Sequence, residues 1–233
     1  MNLARGVRVW SRTQVVAFAV FVNVCALLAP AARSEPSPAT PIRIVAFGDS
    51  LTAGYRLEPA DSFPAQLEKA LRARGHNVEI ANAGVSGDTS AAGLERLAWA
   101  VPDGTDGVIL ELGANDALRG IDPAQTRANL DKIIAALDAR GIPILIAGMR
   151  APKNWGDDYA ARFDAIFTDF AKSDTHVVYP FFLDGIAMNP ALNLDDGMHP
   201  NSKGVAEIAT RMTPAVEKLL ERIQAKRSVS AKP

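Results

Sequence analysis

Residues 42–55 read Ile42-Arg43-Ile44-Val45-Ala46-Phe47-Gly48-Asp49-Ser50-Leu51-Thr52-Ala53-Gly54-Tyr55. An apolar run of strand length breaks abruptly into glycine, acid and serine. The run lacks polar alternation, which predicts a strand buried on both faces, as in a parallel sheet. Four more such runs lie at residues 78–83, 107–112, 142–148 and 176–179. Helical patterns separate them. Residues 63–74 place Phe63, Leu67, Ala70 and Leu71 on one face, and residues 89–100 do the same with Leu94, Leu97 and Ala98. Residues 123–140 open with Asp122-Pro123, a cap followed by proline in the first turn, and stop at Gly141. Residues 158–172 and 203–226 complete the set. Five strands alternating with five helices predict an α/β fold, a parallel sheet with helices on both faces.

The composition is compatible with that fold. The chain has 233 residues, 48 % of them hydrophobic, with one cysteine and 25 basic against 26 acidic residues. Such a length and apolar content suit one globular domain rather than a disordered tail. A lone Cys25 forms no internal disulfide, and no Cys/His cluster has the spacing of a metal site.

The N-terminus reads as a leader. Arg5, Arg8 and Arg12 precede an uncharged apolar run over residues 15–28, followed by Ala29-Pro30-Ala31-Ala32-Arg33-Ser34. A positive start, an apolar stretch and a small-residue exit describe a signal peptide over residues 1–34. The run is shorter than the ~20 residues a spanning helix needs, so no stable membrane anchor is expected after cleavage. Cleavage there removes four arginines and leaves 21 basic against 26 acidic residues, a charge of −5. A mature chain of that charge is not expected to bind nucleic acid. The expected organisation is a linker over residues 35–41, a domain over 42–226 and a tail over 227–233, in a periplasmic or secreted protein.

Open parallel sheets place their sites at the carboxyl ends of the strands. Gly48-Asp49-Ser50 follows the first strand, Gly84-Val85-Ser86-Gly87-Asp88 the second and Gly113-Ala114-Asn115-Asp116 the third. Asp195-Asp196-Gly197-Met198-His199 lies beyond the fifth. A serine hydroxyl is a weak nucleophile until an imidazole, oriented by a carboxylate, takes its proton. Ser50, His199 and Asp196 supply those types, with the acid three residues before the histidine. The backbone N–H groups of Ser50 and Gly84 and the Asn115 side-chain amide would serve as oxyanion donors.

Each feature alone has a plainer use. Asp49 and Ser50 can cap a helix, Gly84 can make a turn, and Asn115-Asp116 is a common turn pair. Asp195, four residues before His199, competes with Asp196. Coincidence at four strand ends favours the catalytic reading. His76 and His176 fall at the amino end of the predicted sheet, His76 in a solvated turn, which leaves His199 for the active rim. The Gly-x-Ser-x-Gly elbow, the Gly-x-Gly-x-x-Gly fingerprint and the P-loop are all absent.

Gly48-Asp49-Ser50-Leu51, Gly84, Gly113-x-Asn115-Asp116 and Asp196-x-x-His199 together resemble the four blocks of the GDSL or SGNH hydrolases. Residues 48–55, 83–89 and 196–200 are similar to an exported bacterial subgroup with acyl-CoA thioesterase, lysophospholipase and arylesterase activity. The resemblance covers residues 42–220. It implies a three-layer α/β/α, flavodoxin-like fold with strand order 2-1-3-4-5, and an acyl-serine mechanism using no metal or cofactor. It assigns nucleophile to Ser50, general base to His199, orienting acid to Asp196, and the oxyanion hole to Ser50, Gly84 and Asn115. By analogy, residues 115–123 would form a mobile loop over the acyl chain.

The substrates expected are small-molecule esters or thioesters, lipids among them. Leu51, Leu118 and Trp155 are the candidate substrate-binding residues, with Met149, Phe181, Phe182 and Leu183 also near the rim. Two alternatives stand beside this reading: a short-chain or carbohydrate acetylesterase on the same scaffold, and a non-catalytic ligand-binding module.

Overall fold

The computed structural model describes residues 40–230. The leader expected over residues 1–34, residues 35–39 of the linker and residues 231–233 of the tail lie outside the described residues. Five strands, β1 (Ile42–Gly48), β2 (Val78–Gly84), β3 (Gly107–Glu111), β4 (Ile144–Ala147) and β5 (Val177–Tyr179), form one sheet. Its order is β2-β1-β3-β4-β5, with every pairing parallel. Every residue of β3 and β4 is buried, and Arg43 is the one exposed residue of β1. This two-sided burial is why the runs of β1, β3 and β4 are almost continuously apolar; β2, at the edge of the sheet, instead buries Val78 and Ile80 and exposes Glu79, Ala81 and Asn82. β4 begins at Ile144, later than expected, because Pro143 has no N–H to give a ladder.

Among the described residues, seven α-helices flank the sheet: α1 (Ser50–Ala53), α2 (Phe63–Ala73), α3 (Ser90–Ala100), α4 (Ala114–Leu118), α5 (Pro123–Ala139), α6 (Asp157–Phe170) and α7 (Ser202–Ser230). α2 packs along α7, α3 along α5, and α5 against α6. The alternation along β3 separates the two layers. Gly107 faces Leu219 and Ile223 of α7, whereas Leu112, of opposite parity, lies against Gly93 of α3. Phe47, Phe63, Phe163 and Phe182 are fully enclosed between the layers.

Three features depart from the sequence reading. α1 and α4 are too short for any periodicity to show; α1 forms because the Asp49 carboxylate caps Leu51 N–H and Gly54 closes its end in the left-handed conformation. α7 runs past residue 226 to Ser230. Arg227 anchors that extension by pairing with Asp106 at 2.6 Å and bonding the Pro41 carbonyl at 3.2 Å. The inner face of α3 keeps Leu97 and, partly buried, Leu94, but Ala98 is exposed and Ser90, Gly93 and Arg96 are buried as well.

α5 begins as its sequence predicts. Asp122 is the N-cap, its carboxylate accepting from Ala124 N–H at 3.0 Å, and Pro123 occupies the first turn. Asp122→Ala is expected to cost about 1 kcal/mol of stability, read as a lower urea midpoint at unchanged slope.

Candidate active site

β1 delivers the chain to the carboxyl edge of the sheet, where Asp49 turns it and Ser50 becomes the first residue of α1. Ser50 Oγ lies 2.9 Å from His199 Nε2, and His199 Nδ1 lies 2.8 Å from Asp196 Oδ2. The three residues singled out in the sequence therefore form one continuous relay. Asp196 Oδ1 also accepts the backbone N–H groups of Met198 (2.9 Å) and His199 (3.0 Å). The His199 backbone bond is the main reason its carboxyl is held down to about 2. Asp195 is exposed and makes no such contact among the described residues.

His199 is braced from two directions. Its carbonyl accepts Leu194 N–H at 2.7 Å beside an antiparallel bridge between Asn193 and Pro200. The Tyr55 ring lies against the imidazole, centroids 4.4 Å apart. Neither of the other described histidines reaches the rim. His76, partly exposed in its turn, bonds Glu217 at 3.0 Å, and His176 lies 3.4 Å from Asp138.

Asn115 reaches the relay's neighbourhood from α4. Its Nδ2 donates to Asp49 Oδ2 at 3.0 Å and to the Asp88 carbonyl at 2.9 Å. Asp116, next in sequence, is buried and structural: it accepts from Ser90 N–H, Ser90 Oγ and Thr126 Oγ1, tying α3 to α5.

Gly84 plays a different part from the one expected. Its N–H is committed to Asn82 Oδ1 at 3.0 Å. A Cβ there would lie 2.3 Å from Ala53 N and 2.8 Å from the Asp49 carbonyl, so glycine is required for close packing of β2 on α1. The uncommitted donors of this segment, among the described residues, are the N–H groups of Ser86 and Gly87. Gly87 (φ 89°) sits beside Asp88, whose carbonyl holds Asn115, and its own carbonyl accepts from Arg119. The Ser50 N–H, at the open end of α1, is likewise free.

Two side chains that sequence reasoning missed organise this edge. Arg96, buried on α3, donates to the carbonyls of Gly48 (2.8 Å) and Ala83 (2.9 Å) and to Asp88 Oδ2 (2.5 Å), with its guanidinium over the Phe47 ring. Glu111, at the end of β3, accepts from Thr52 Oγ1 (2.7 Å) and Asp49 N–H (3.3 Å). Glu111 presents no motif, and an arginine among alanines and leucines reads as the polar face of a helix.

Beside Ser50 and His199 opens a cleft of about 450 Å³. Its walls are largely apolar, from Leu51, Leu118, Met149, Phe181, Leu183 and Met198. Leu51 and Leu118 are thus where the sequence reading placed them. Trp155 is not in the wall: it packs on Gly120 and donates from Nε1 to the Ala117 carbonyl, bracing α4 from outside. Phe182 is in the core. Among the described residues no group of three or more His, Cys, Asp or Glu side chains is placed to hold a metal ion.

A serine–histidine–aspartate relay at the carboxyl edge of a doubly wound parallel sheet is an arrangement for acyl transfer. The chain belongs to the GDSL-like lipase/acylhydrolase family, whose model matches residues 46–206. It is 36 % identical over 168 residues to an arylesterase of Vibrio mimicus, covering 72 % of this chain and 84 % of that one. It is 35 % identical over 178 residues to thioesterase 1/protease 1/lysophospholipase L1 of Escherichia coli strain K12, covering 76 % and 84 %. Among solved structures it is similar to AlinE4, an SGNH-hydrolase family esterase, at 47 % identity and a TM-score of 0.66, covering 79 % and 99 %. The protein is a serine ester hydrolase acting on small-molecule esters.

Arg96→Met leaves the half-buried Asp88 without its partner and takes one donor from each of the Gly48 and Ala83 carbonyls, the former keeping the Val85 N–H at 3.0 Å. The expected cost is about 3–5 kcal/mol, measurable by urea unfolding, with activity lost in step.

Proposed function

We propose that Ser50 Oγ attacks the acyl carbon while its proton passes to His199 Nε2. Asp196 keeps the proton of His199 Nδ1 in place and stabilises the imidazolium that forms. The tetrahedral oxyanion is held by the N–H groups of Ser50 and Gly87 and by Asn115 Nδ2. Both Asn115 hydrogens already meet acceptors, at Asp49 and Asp88, so one of these bonds is shared or released as the oxyanion forms. His199 then protonates the leaving alcohol or thiol, an acyl-Ser50 ester remains, and water activated by the same imidazole completes hydrolysis. The observation that carries this reading is the unbroken Ser50–His199–Asp196 relay opening into an apolar cleft.

The cleft favours aryl esters, lysophospholipids and acyl thioesters over acetyl groups, because about 450 Å³ of apolar volume exceeds what an acetyl group fills. The names of the relatives point the same way. We place the mature enzyme in the periplasm or outside the cell, on the strength of the basic and apolar leader pattern. Among the described residues no helix is long and apolar enough to cross a membrane, and a mature charge of −5 argues against binding nucleic acid by bulk charge.

A p-nitrophenyl ester series from acetyl to palmitoyl, run on the mature enzyme and Ser50→Ala together, tests the assignment. Activity is expected to peak beyond acetyl and to vanish in the variant; activity surviving in Ser50→Ala overturns the mechanism, and an acetyl maximum assigns an acetylesterase. Asn115→Ala should lower kcat on the order of 10²–10³-fold, and a loss below about tenfold removes Asn115 from the oxyanion hole.

A further inference from the structure

Glu111 is fully buried beneath the nucleophile, and no step of the proposed reaction uses it. Its Oε2 accepts from Asp49 N–H on one side of Ser50 and from Thr52 Oγ1 on the other. The second oxygen, Oε1, is buried with no partner among the described residues. A second buried acid adjoins it: Asp49, whose two oxygens accept from Leu51 N–H (2.9 Å) and Asn115 Nδ2 (3.0 Å).

The charged groups around this pair come from four elements. Asp49 faces Glu111 from the nucleophile turn, while Asp116 on α4 and His199 on the last loop act on Asp49 from beyond it. Arg96 on α3 binds the neighbouring Gly48 carbonyl, but its carboxylate partner is Asp88. No cation bonds Glu111 among the described residues. An ionised Glu111 would leave an unpartnered anionic oxygen next to a second acid in a dry site, which is far costlier than a neutral carboxyl.

We infer that Glu111 is a positioning residue, a neutral carboxylic acid whose Oε2 fixes the turn carrying Ser50 and whose neutrality leaves the local negative charge to Asp49, the acceptor that orients Asn115. The inference rests on the reading of Ser50 as nucleophile. Burial, reinforced by the Asp49 charge, pushes the Glu111 carboxyl well above its ordinary value of 4.5, and burial raises Asp49 to about 6. For a raised carboxyl the sign is fixed: the stability it contributes is fully present below the ordinary value. It is lost as pH rises through the raised one.

The test compares wild type, Glu111→Gln and Glu111→Ala. It reads kcat and KM on a soluble p-nitrophenyl ester, the rate of serine labelling by a fluorophosphonate, and the thermal midpoint from pH 5 to 9. Glu111→Gln, neutral and the same shape, should keep kcat within about threefold, whereas Glu111→Ala should lose at least about tenfold in kcat with KM nearly unchanged. The wild-type midpoint should fall with rising pH relative to that of Glu111→Gln. Wild-type kcat in Glu111→Ala, or a Gln variant as impaired as the Ala variant, overturns the inference. So do parallel midpoint curves for wild type and Glu111→Gln, and these decide the matter even if Glu111→Ala does not fold. A wild type that resists the fluorophosphonate refutes the nucleophile instead, and leaves the midpoint comparison standing.

Discussion

The carboxyl edge of a parallel sheet leaves strand carbonyls without a ladder partner, beside the place where reactive groups must be held still. Here the Val85 N–H meets part of that constraint at the Gly48 carbonyl, and a single guanidinium adds the donors that tie the segments together. Arg96 takes the terminal carbonyls of β1 and of β2, one residue before its end, and secures Asp88, whose own carbonyl receives the Asn115 amide. The nucleophile turn, the glycine turn after β2 and the amide from α4 are thus referred to one fixed group. Its planar fork suits this use, since several donors lie in one rigid plane and bond acceptors from different strands at once. The Phe47 ring beneath it supplies a flat apolar support that limits rotation out of that plane.

The rim also shows one chemical type in opposite states. Asp196, near solvent and fed by two backbone N–H groups, stays ionised down to about 2. Asp49, enclosed, is pushed up to about 6, and burial raises Glu111 well above its ordinary range. Desolvation and donor supply, not residue type, sort these carboxyls. The proposed reaction calls for that sorting: the acid behind His199 has to be charged throughout, while the acids beneath Ser50 set geometry.

Much of this was legible in the sequence. Two-sided burial writes itself as unalternated apolar runs, so strands and the position of the rim could be read before any coordinates. Ser50, Asp196 and His199 followed, because each stands just past such a run or near the chain's last one. What escaped was whatever depends on close approach between segments. Gly84 looked like a donor because it stands at a strand end; its packing on Ala53 and its bond to Asn82 are invisible in one dimension. Trp155 looked like a cleft residue because its loop follows β4, yet Gly120 supplies a seat for it on the outer side. Arg96 and Glu111 carry polar side chains inward from positions that a hydrophobic pattern assigns to solvent or to core.

Ser50 and His199 meet across 149 residues of chain. The last helix, which follows His199 directly, is tied through Arg227 to Asp106 and to the Pro41 carbonyl just before the first strand. The reacting pair thus joins a segment near the start of the domain to one near its end. Nothing shorter contains both halves of the relay. A fragment that lacks either end of that span has no complete relay, so the chemistry is latent until synthesis has passed His199.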